Sequence, residues 1–158
     1  MSGPGIVRSS SQVTIGVRPS VIYGNRPRVP RVGTNMSGDL NERPVLQPSA
    51  QHPITVTPTG KRVTVTVSGR TVATTDDALT LQESNYPAVQ YIPMADVDPS
   101  VLAPSTTTSY CPYKGDATYL DVLGVPDVIW TYVQPYEAVS QIAGRAAFYP
   151  DKADVLVG

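Results

Sequence analysis

The clearest pattern in the chain is Arg62-Val63-Thr64-Val65-Thr66-Val67, where apolar and polar side chains alternate with a period of two. That period places Val63, Val65 and Val67 on one face of a strand and Thr64 and Thr66 on the other. Ser68-Gly69 follows, then the run Arg70-Thr71-Val72-Ala73-Thr74, so the two runs predict a hairpin across a Ser-Gly turn. Asp76-Asp77 marks a turn before Ala78-Leu79-Thr80-Leu81, a predicted strand ending at Glu83-Ser84-Asn85. Residues 88–92 predict a strand stopped by Pro93, and residues 117–123 one stopped by Gly124 and Pro126. Residues 128–132 and 146–149 predict two more. Helical signals are weak: a turn at 99–102, and a short helix over 138–142 that Pro135 opens and Glu137 suits. Residues 107–117 read as a loop, because their proline and glycine forbid a regular helix or an inner strand.

Roughly seven short strands with tight connections and almost no helix predict a mainly β fold. The expected form is a compact antiparallel two-sheet domain, a small sandwich or open barrel. A parallel α/β fold is disfavoured, since no helix of crossover length separates the strands. The domain is placed at residues 49–158. Residues 1–48 read as a flexible arm, because Gly3-Pro4-Gly5, Ser9-Ser10-Ser11 and Arg26-Pro27-Arg28-Val29-Pro30-Arg31 break any period. Within the arm, residues 12–17 alternate well enough for one short strand that adds to a sheet edge of this chain or a partner.

Charge sharpens this division. The formal charge of the 158-residue chain is -1. Residues 1–45 hold six arginines against Asp39 and Glu42, leaving +4, whereas residues 46–158 hold six Lys/Arg against eleven carboxylates, leaving -5. A basic arm can contact an acidic partner, but composition favours a solvated tail, and nucleic acid is not the expected partner. One cysteine excludes an intramolecular disulfide and points to a reducing compartment. With no apolar leader and no membrane-length apolar run, the expectation is a soluble cytoplasmic protein, compatible with a homo-oligomer and with no membrane partner.

Candidate chemistry gathers late in the chain. Of eleven aromatic residues, ten lie between Tyr86 and Tyr149. Period two puts Trp130 and Tyr132 on one side of their strand. Together with Tyr91, Tyr113 and Tyr119 they form a candidate ligand wall, with polar tips to orient a small molecule. Each ring alone is as well explained by core packing. Cys111 is a candidate nucleophile, and Lys114, three residues on, favours its thiolate if the chain folds back. A general base is wanted, and the only histidine, His52, stands at the start of the domain. Lys114 is also a candidate carboxylate or phosphate binder, with Gly115 freeing the backbone beside it. Arg70 and Glu83 are candidate charged ligand contacts. One cysteine and one histidine cannot build a zinc site, so no metal or cofactor is expected. Asp96, Asp98, Asp116 and Asp121 leave a carboxylate-held Mg²⁺ open, although Asp-x-Asp is common by chance.

Cys111-Pro112-Tyr113-Lys114-Gly115 resembles the CPYKG signature of the DUF427 family, a domain of unknown function. The resemblance covers about residues 51–158 as an ordered series. It runs through His52-Pro53-Ile54, the hairpin with Gly69-Arg70, Leu79-Thr80-Leu81-Gln82-Glu83, Tyr86-Pro87 and Tyr91-Ile92-Pro93-Met94-Ala95-Asp96-Val97. It continues through the signature to Trp130-Thr131-Tyr132, Pro135, Ile142-Ala143-Gly144 and Ala147-Phe148-Tyr149. The resemblance implies an antiparallel domain of the β-tent or Mss4-like type, similar in architecture to methionine sulfoxide reductase B and the cereblon ligand-binding domain. Relatives of that type often hold zinc with two Cys-x-x-Cys pairs; this chain has neither pair, so the metal does not carry over.

Three functions fit these residues. The favoured one is a small-molecule binding domain, with or without enzymatic activity, whose aromatic-lined pocket lies between its sheets and whose candidate reactive groups are Cys111 and Lys114. The second is Mg²⁺-dependent nucleotidyl transfer, with the aspartates on metal and Lys114 on phosphate. The third is an interaction module that works through its basic arm.

Overall fold

In the computed structural model, residues 43–158 are described. The strand expected at 12–17 and most of the arm lie outside the described residues. A compact unit spans Leu46–Gly158. It holds ten strands: β1 (Ile54–Pro58), β2 (Val63–Val67), β3 (Arg70–Thr75), β4 (Leu79–Glu83), β5 (Val89–Pro93), β6 (Leu102–Cys111), β7 (Gly115–Val122), β8 (Val125–Thr131), β9 (Arg145–Phe148) and β10 (Asp154–Val157). Single 3-10 turns occupy Met94–Asp96 and Pro99–Val101, and a longer 3-10 segment occupies Glu137–Ile142.

The strands form two antiparallel sheets. One has seven strands in the order β1-β4-β5-β9-β8-β7-β6, the other three in the order β10-β2-β3. The fold is therefore mainly β and two-sheeted. The β2–β3 hairpin turns at Ser68-Gly69, with φ of 51° and 79°. Two successive positive φ angles give the primed turn whose twist matches that of paired strands. Leu123-Gly124, with φ of 52° and 78°, makes the same turn between β7 and β8. The two residues read as a strand stop are thus split, with Gly124 in a hairpin turn and Pro126 inside β8.

Alternation divides the seven-stranded sheet into two chemically distinct faces. Ile92, Ile129, Ala146 and Phe148 pack with Val63, Val65, Val67 and Val72 of the smaller sheet in one apolar core. The neighbouring positions Tyr91, Trp130 and Ala147 belong to a second cluster with Leu81, Ala117, Tyr132, Val139 and Ile142. The second cluster lies on the opposite face, where the 3-10 segment at Glu137–Ile142 covers part of it. This corrects the expected pocket between the sheets: the space there is filled by apolar side chains, Phe148 among them, and Tyr91, Tyr119, Trp130 and Tyr132 lie on the far side of the larger sheet.

Three strands were not expected from the sequence. β1 is short and bracketed by Pro53 and Pro58. β10 is a four-residue C-terminal strand. β6 is ten residues long, and its Thr/Ser-rich stretch is exposed as the outermost strand of its sheet, so no hydrophobic alternation marks it. Residues 107–111 of the expected loop belong to β6, which as an edge strand tolerates Pro104.

The two faces make a direct stability prediction. Ile92→Ala, at a fully buried site in the apolar core, is expected to cost about 2–5 kcal/mol in urea unfolding. Leu156→Thr, at a side chain 66% exposed, is expected to stay within about 0.5 kcal/mol. Equal effects would contradict the assignment of the core.

Candidate functional site

The site begins at the hairpin turn Pro112-Tyr113-Lys114 between β6 and β7. Cys111 pairs with Gly115 across the turn, and the Lys114 N–H donates to the Cys111 carbonyl at 3.1 Å. Two backbone bonds hold the turn from outside: the Leu46 N–H donates to the Pro112 carbonyl at 2.9 Å and the Tyr136 N–H to the Lys114 carbonyl at 3.0 Å. Gly115 has a φ of 108°, which a side chain would resist. The turn folds Lys114 back so that its Nζ lies 3.7 Å from Cys111 Sγ.

Lys114 is buried, its side chain only 9% exposed, and Nζ donates to Glu83 Oε1 at 2.5 Å. Glu83 stands at the end of β4, with a side chain 12% exposed. Its second oxygen, Oε2, is 2.7 Å from His52 Nε2, which serves as the donor when Glu83 is ionised. His52 in turn stacks on Tyr113, with ring centroids 4.2 Å apart and planes 10° apart. The order of contact is therefore Cys111, Lys114, Glu83, His52, with Tyr113 against the histidine.

The charges in this row stabilise one another. Burial pushes the Glu83 carboxyl up, but the charge and hydrogen bond of Lys114, with the hydrogen bond of His52, outweigh it and hold the group below its ordinary value. Burial pulls the Lys114 ammonium down, but Cys111, Glu83 and Tyr91 outweigh it and raise the group. Lys114 is thus held as a cation.

The aromatic residues continue from this row across the sheet face. Tyr91 is fully buried, and its hydroxyl accepts from Trp130 Nε1 at 3.2 Å. Burial, with smaller contributions from Cys111 and Glu83, pushes the Tyr91 hydroxyl up to about 12, against the opposing pull of Lys114 and Trp130. Burial likewise raises Tyr132, with Cys111 and Tyr91 adding to it, so both phenols stay neutral at ordinary pH. Trp130 packs on Tyr149 with centroids 4.5 Å apart, and the Tyr119 hydroxyl lies 2.8 Å from Ser109 Oγ and 3.4 Å from the Tyr149 hydroxyl. Trp130, Tyr119 and Tyr149 are partly exposed, whereas Tyr91 and Tyr132 are buried.

Cys111, Lys114, Glu83, Tyr91, Tyr113, Tyr119, Trp130 and Tyr132 therefore share one region. Arg70 stands apart, at the hairpin end of the smaller sheet, paired with Asp98 at 3.2 Å. The aspartates weighed for Mg²⁺ are dispersed. Asp96 accepts from Thr75, Asp98 caps the turn at Ser100 and Asp121 accepts from the Asp127 N–H. Among the described residues, no three His, Cys, Asp or Glu side chains converge as a metal site.

Two shallow concavities open elsewhere. One of about 400 Å³ runs along Thr71–Thr74 and Ala95–Pro99, and one of about 200 Å³ lies at Asp116, Thr118, Val133 and Gln134. Neither is lined by Trp130 or Lys114. No local sequence pattern joins His52 to Glu83, 31 residues away, or Tyr149 to Trp130. Pairing of β8 with β9 supplies the second link, which no local pattern carries.

A family model described as a domain of unknown function, DUF427, matches residues 55–158. A search of curated proteins finds no match to the chain.

The ion pair predicts a pH dependence with two limbs. Glu83 is lowered from 4.5, so the stability its ionisation contributes is complete above that value and is lost as pH falls through the folded-state value. Lys114 is raised from 10.5, so its contribution is complete below that value and is lost as pH rises further. Urea midpoints across pH should show both limbs in the wild type. Both should be flatter in the Glu83→Gln/Lys114→Met double variant, and identical profiles would contradict the pairing.

Proposed function

The chain belongs to the DUF427 family, and we propose that its domain binds a planar small molecule bearing a carbonyl group, on the aromatic face of the seven-stranded sheet beside Lys114 and Glu83. The observation that carries this reading is the buried Lys114–Glu83 pair on the same sheet face as the Tyr91–Trp130–Tyr149 aromatic cluster. An ammonium has three N–H donors, and among the described residues Lys114 finds two acceptors, Glu83 and Cys111. A ligand carbonyl at this end of the aromatic wall would accept from Lys114. Burying charge costs several kcal/mol per ion, so a buried pair is weak evidence of a purely stabilising role. Strongly perturbed groups gathered on one face are the usual sign of a binding or reactive site.

Trp130, Tyr119 and Tyr149 supply the exposed part of the wall, against which a planar ring stacks. Tyr91 connects the two parts, bonded to Trp130 and within electrostatic range of Lys114. We read the domain as a β-tent fold, supported by its two antiparallel sheets. We place it in the cytoplasm on the strength of its single cysteine. Among the described residues no helix is long and apolar enough to cross a membrane.

Calorimetric titration of the full chain with benzamide, nicotinamide and benzoate tests the reading. Saturable binding of at least one amide is expected. Trp130→Ala should weaken it at least about tenfold, or about 1.4 kcal/mol. Arg62→Ala, at an exposed pair with Asp76, should leave it unchanged. Absence of binding by all three probes, or full binding by Trp130→Ala, would overturn the assignment.

A further inference from the structure

We propose that the ligand of the aromatic face carries a sugar, and that Ser109, Tyr119 and Tyr149 bind its hydroxyl groups. This inference rests on the binding site proposed above and names its ligand class, a planar carbonyl-bearing ring joined to a sugar. Strand register gives the first support. Residues paired directly across neighbouring strands share a face. Ser109 of β6 pairs with Ala117 of β7, and Tyr119, two residues on from Ala117, pairs with Trp130 of β8. Tyr149, just past the end of β9, packs on Trp130 with centroids 4.5 Å apart. Ser109, Tyr119, Trp130 and Tyr149 therefore line one face, from the edge strand inward.

The chemistry of that line gives the second. Ser109 Oγ lies 2.8 Å from the Tyr119 hydroxyl, which lies 3.4 Å from the Tyr149 hydroxyl, so three hydroxyls run in a row beside the Trp130 ring. Ser109 is exposed and both tyrosines are partly exposed, so a ligand can reach the row. A hydroxyl both donates and accepts, so each member can bond a ligand hydroxyl and keep its present neighbour. The 3.4 Å contact is longer than the about 2.5–3.0 Å of a good O–H···O bond, and a sugar hydroxyl set between Tyr119 and Tyr149 would bridge it better. Neutral hydroxyls beside aromatic faces match a sugar, which offers neutral hydroxyls and weakly positive C–H groups. Spacing gives the third support. Ser109 and Cys111 are two residues apart on β6 and share a face, so they stand about 6.5–7 Å apart along the strand. Lys114 Nζ touches the Cys111 end of that interval at 3.7 Å. A ring whose carbonyl meets Lys114 thus directs a sugar on its far side toward Ser109 and Tyr119. Nucleosides and aryl glycosides share this chemistry.

Calorimetric titration of the full chain with two matched pairs tests the proposal: inosine against 9-methylhypoxanthine, and 4-acetylphenyl β-glucoside against 4-methoxyacetophenone. Within each pair the ring and its carbonyl are the same, and a methyl group stands in for the sugar. At least one glycoside is expected to bind at least about tenfold tighter than its sugar-free partner. A gain in the first pair alone supports a nucleoside, in the second alone an aryl glycoside, and in both a site that reads the sugar itself. Tyr119→Phe, which removes only the hydroxyl, and Ser109→Ala should each abolish most of the gain and leave the sugar-free partner within about twofold of its wild-type affinity. The comparison within each pair needs no variant, so the proposal stays falsifiable should either variant fail to fold. No gain in either pair, or a gain that survives either substitution, would overturn the proposal. Benzamide binding with no gain in either pair would remove the sugar and leave the binding reading standing. Failure of benzamide and of all four probes to bind would remove both.

Discussion

Two-residue alternation along the central strands is the constraint on which the rest of this structure depends. Each strand of the larger sheet must serve two faces at once. The valines and isoleucines that meet β2 and β3 occupy one set of positions, and the intervening positions are then committed to the other face. Ile92 and Ile129 anchor the inter-sheet core, and their neighbours Tyr91 and Trp130 are thereby carried to the far side. A one-residue slip in β5 or β8 would exchange the two sets and remove both core and site together.

On that far side, the hairpin at Pro112-Tyr113-Lys114 brings a cation into a buried position beside Glu83. Taking two charges out of water costs free energy that their attraction recovers only with good geometry and further hydrogen bonds. His52 supplies one such bond on the carboxylate, and Cys111 supplies a weak acceptor for the ammonium. The row is electrostatically self-consistent, since each charge shifts the other toward its ionised form. A hydrophobic pair of similar volume would fill the same space at no desolvation cost. The proposed ligand contact at Lys114 would give the retained charges a role beyond bracing the fold.

Much of the fold was legible in the chain. The β2–β3 hairpin follows from strict Val/Thr alternation and a Ser-Gly turn, and β4, β5 and β9 follow from short apolar runs between breakers. β6 was illegible because an exposed edge strand needs no apolar face, so its Thr/Ser run reads as loop. The site was legible in its members and not in its arrangement. Cys111 and Lys114 are three residues apart and their meeting is local. His52, Glu83 and Tyr149 join only through strand pairing and packing of segments distant in the chain. The inward or outward placement of the aromatic wall depended on which face the smaller sheet covers, and that is a tertiary choice no single strand declares.

The central claim is that Lys114 and Glu83 are kept as ions for the site and not for stability, and urea unfolding at pH 7 of the Glu83→Gln/Lys114→Met double variant, set beside each single variant, tests it most directly. The account predicts a double variant within about 1 kcal/mol of the wild type, with Lys114→Met alone losing about 3–5 kcal/mol because it strands a buried carboxylate. A double variant as destabilised as that single one would make the pair a structural brace and contradict the account.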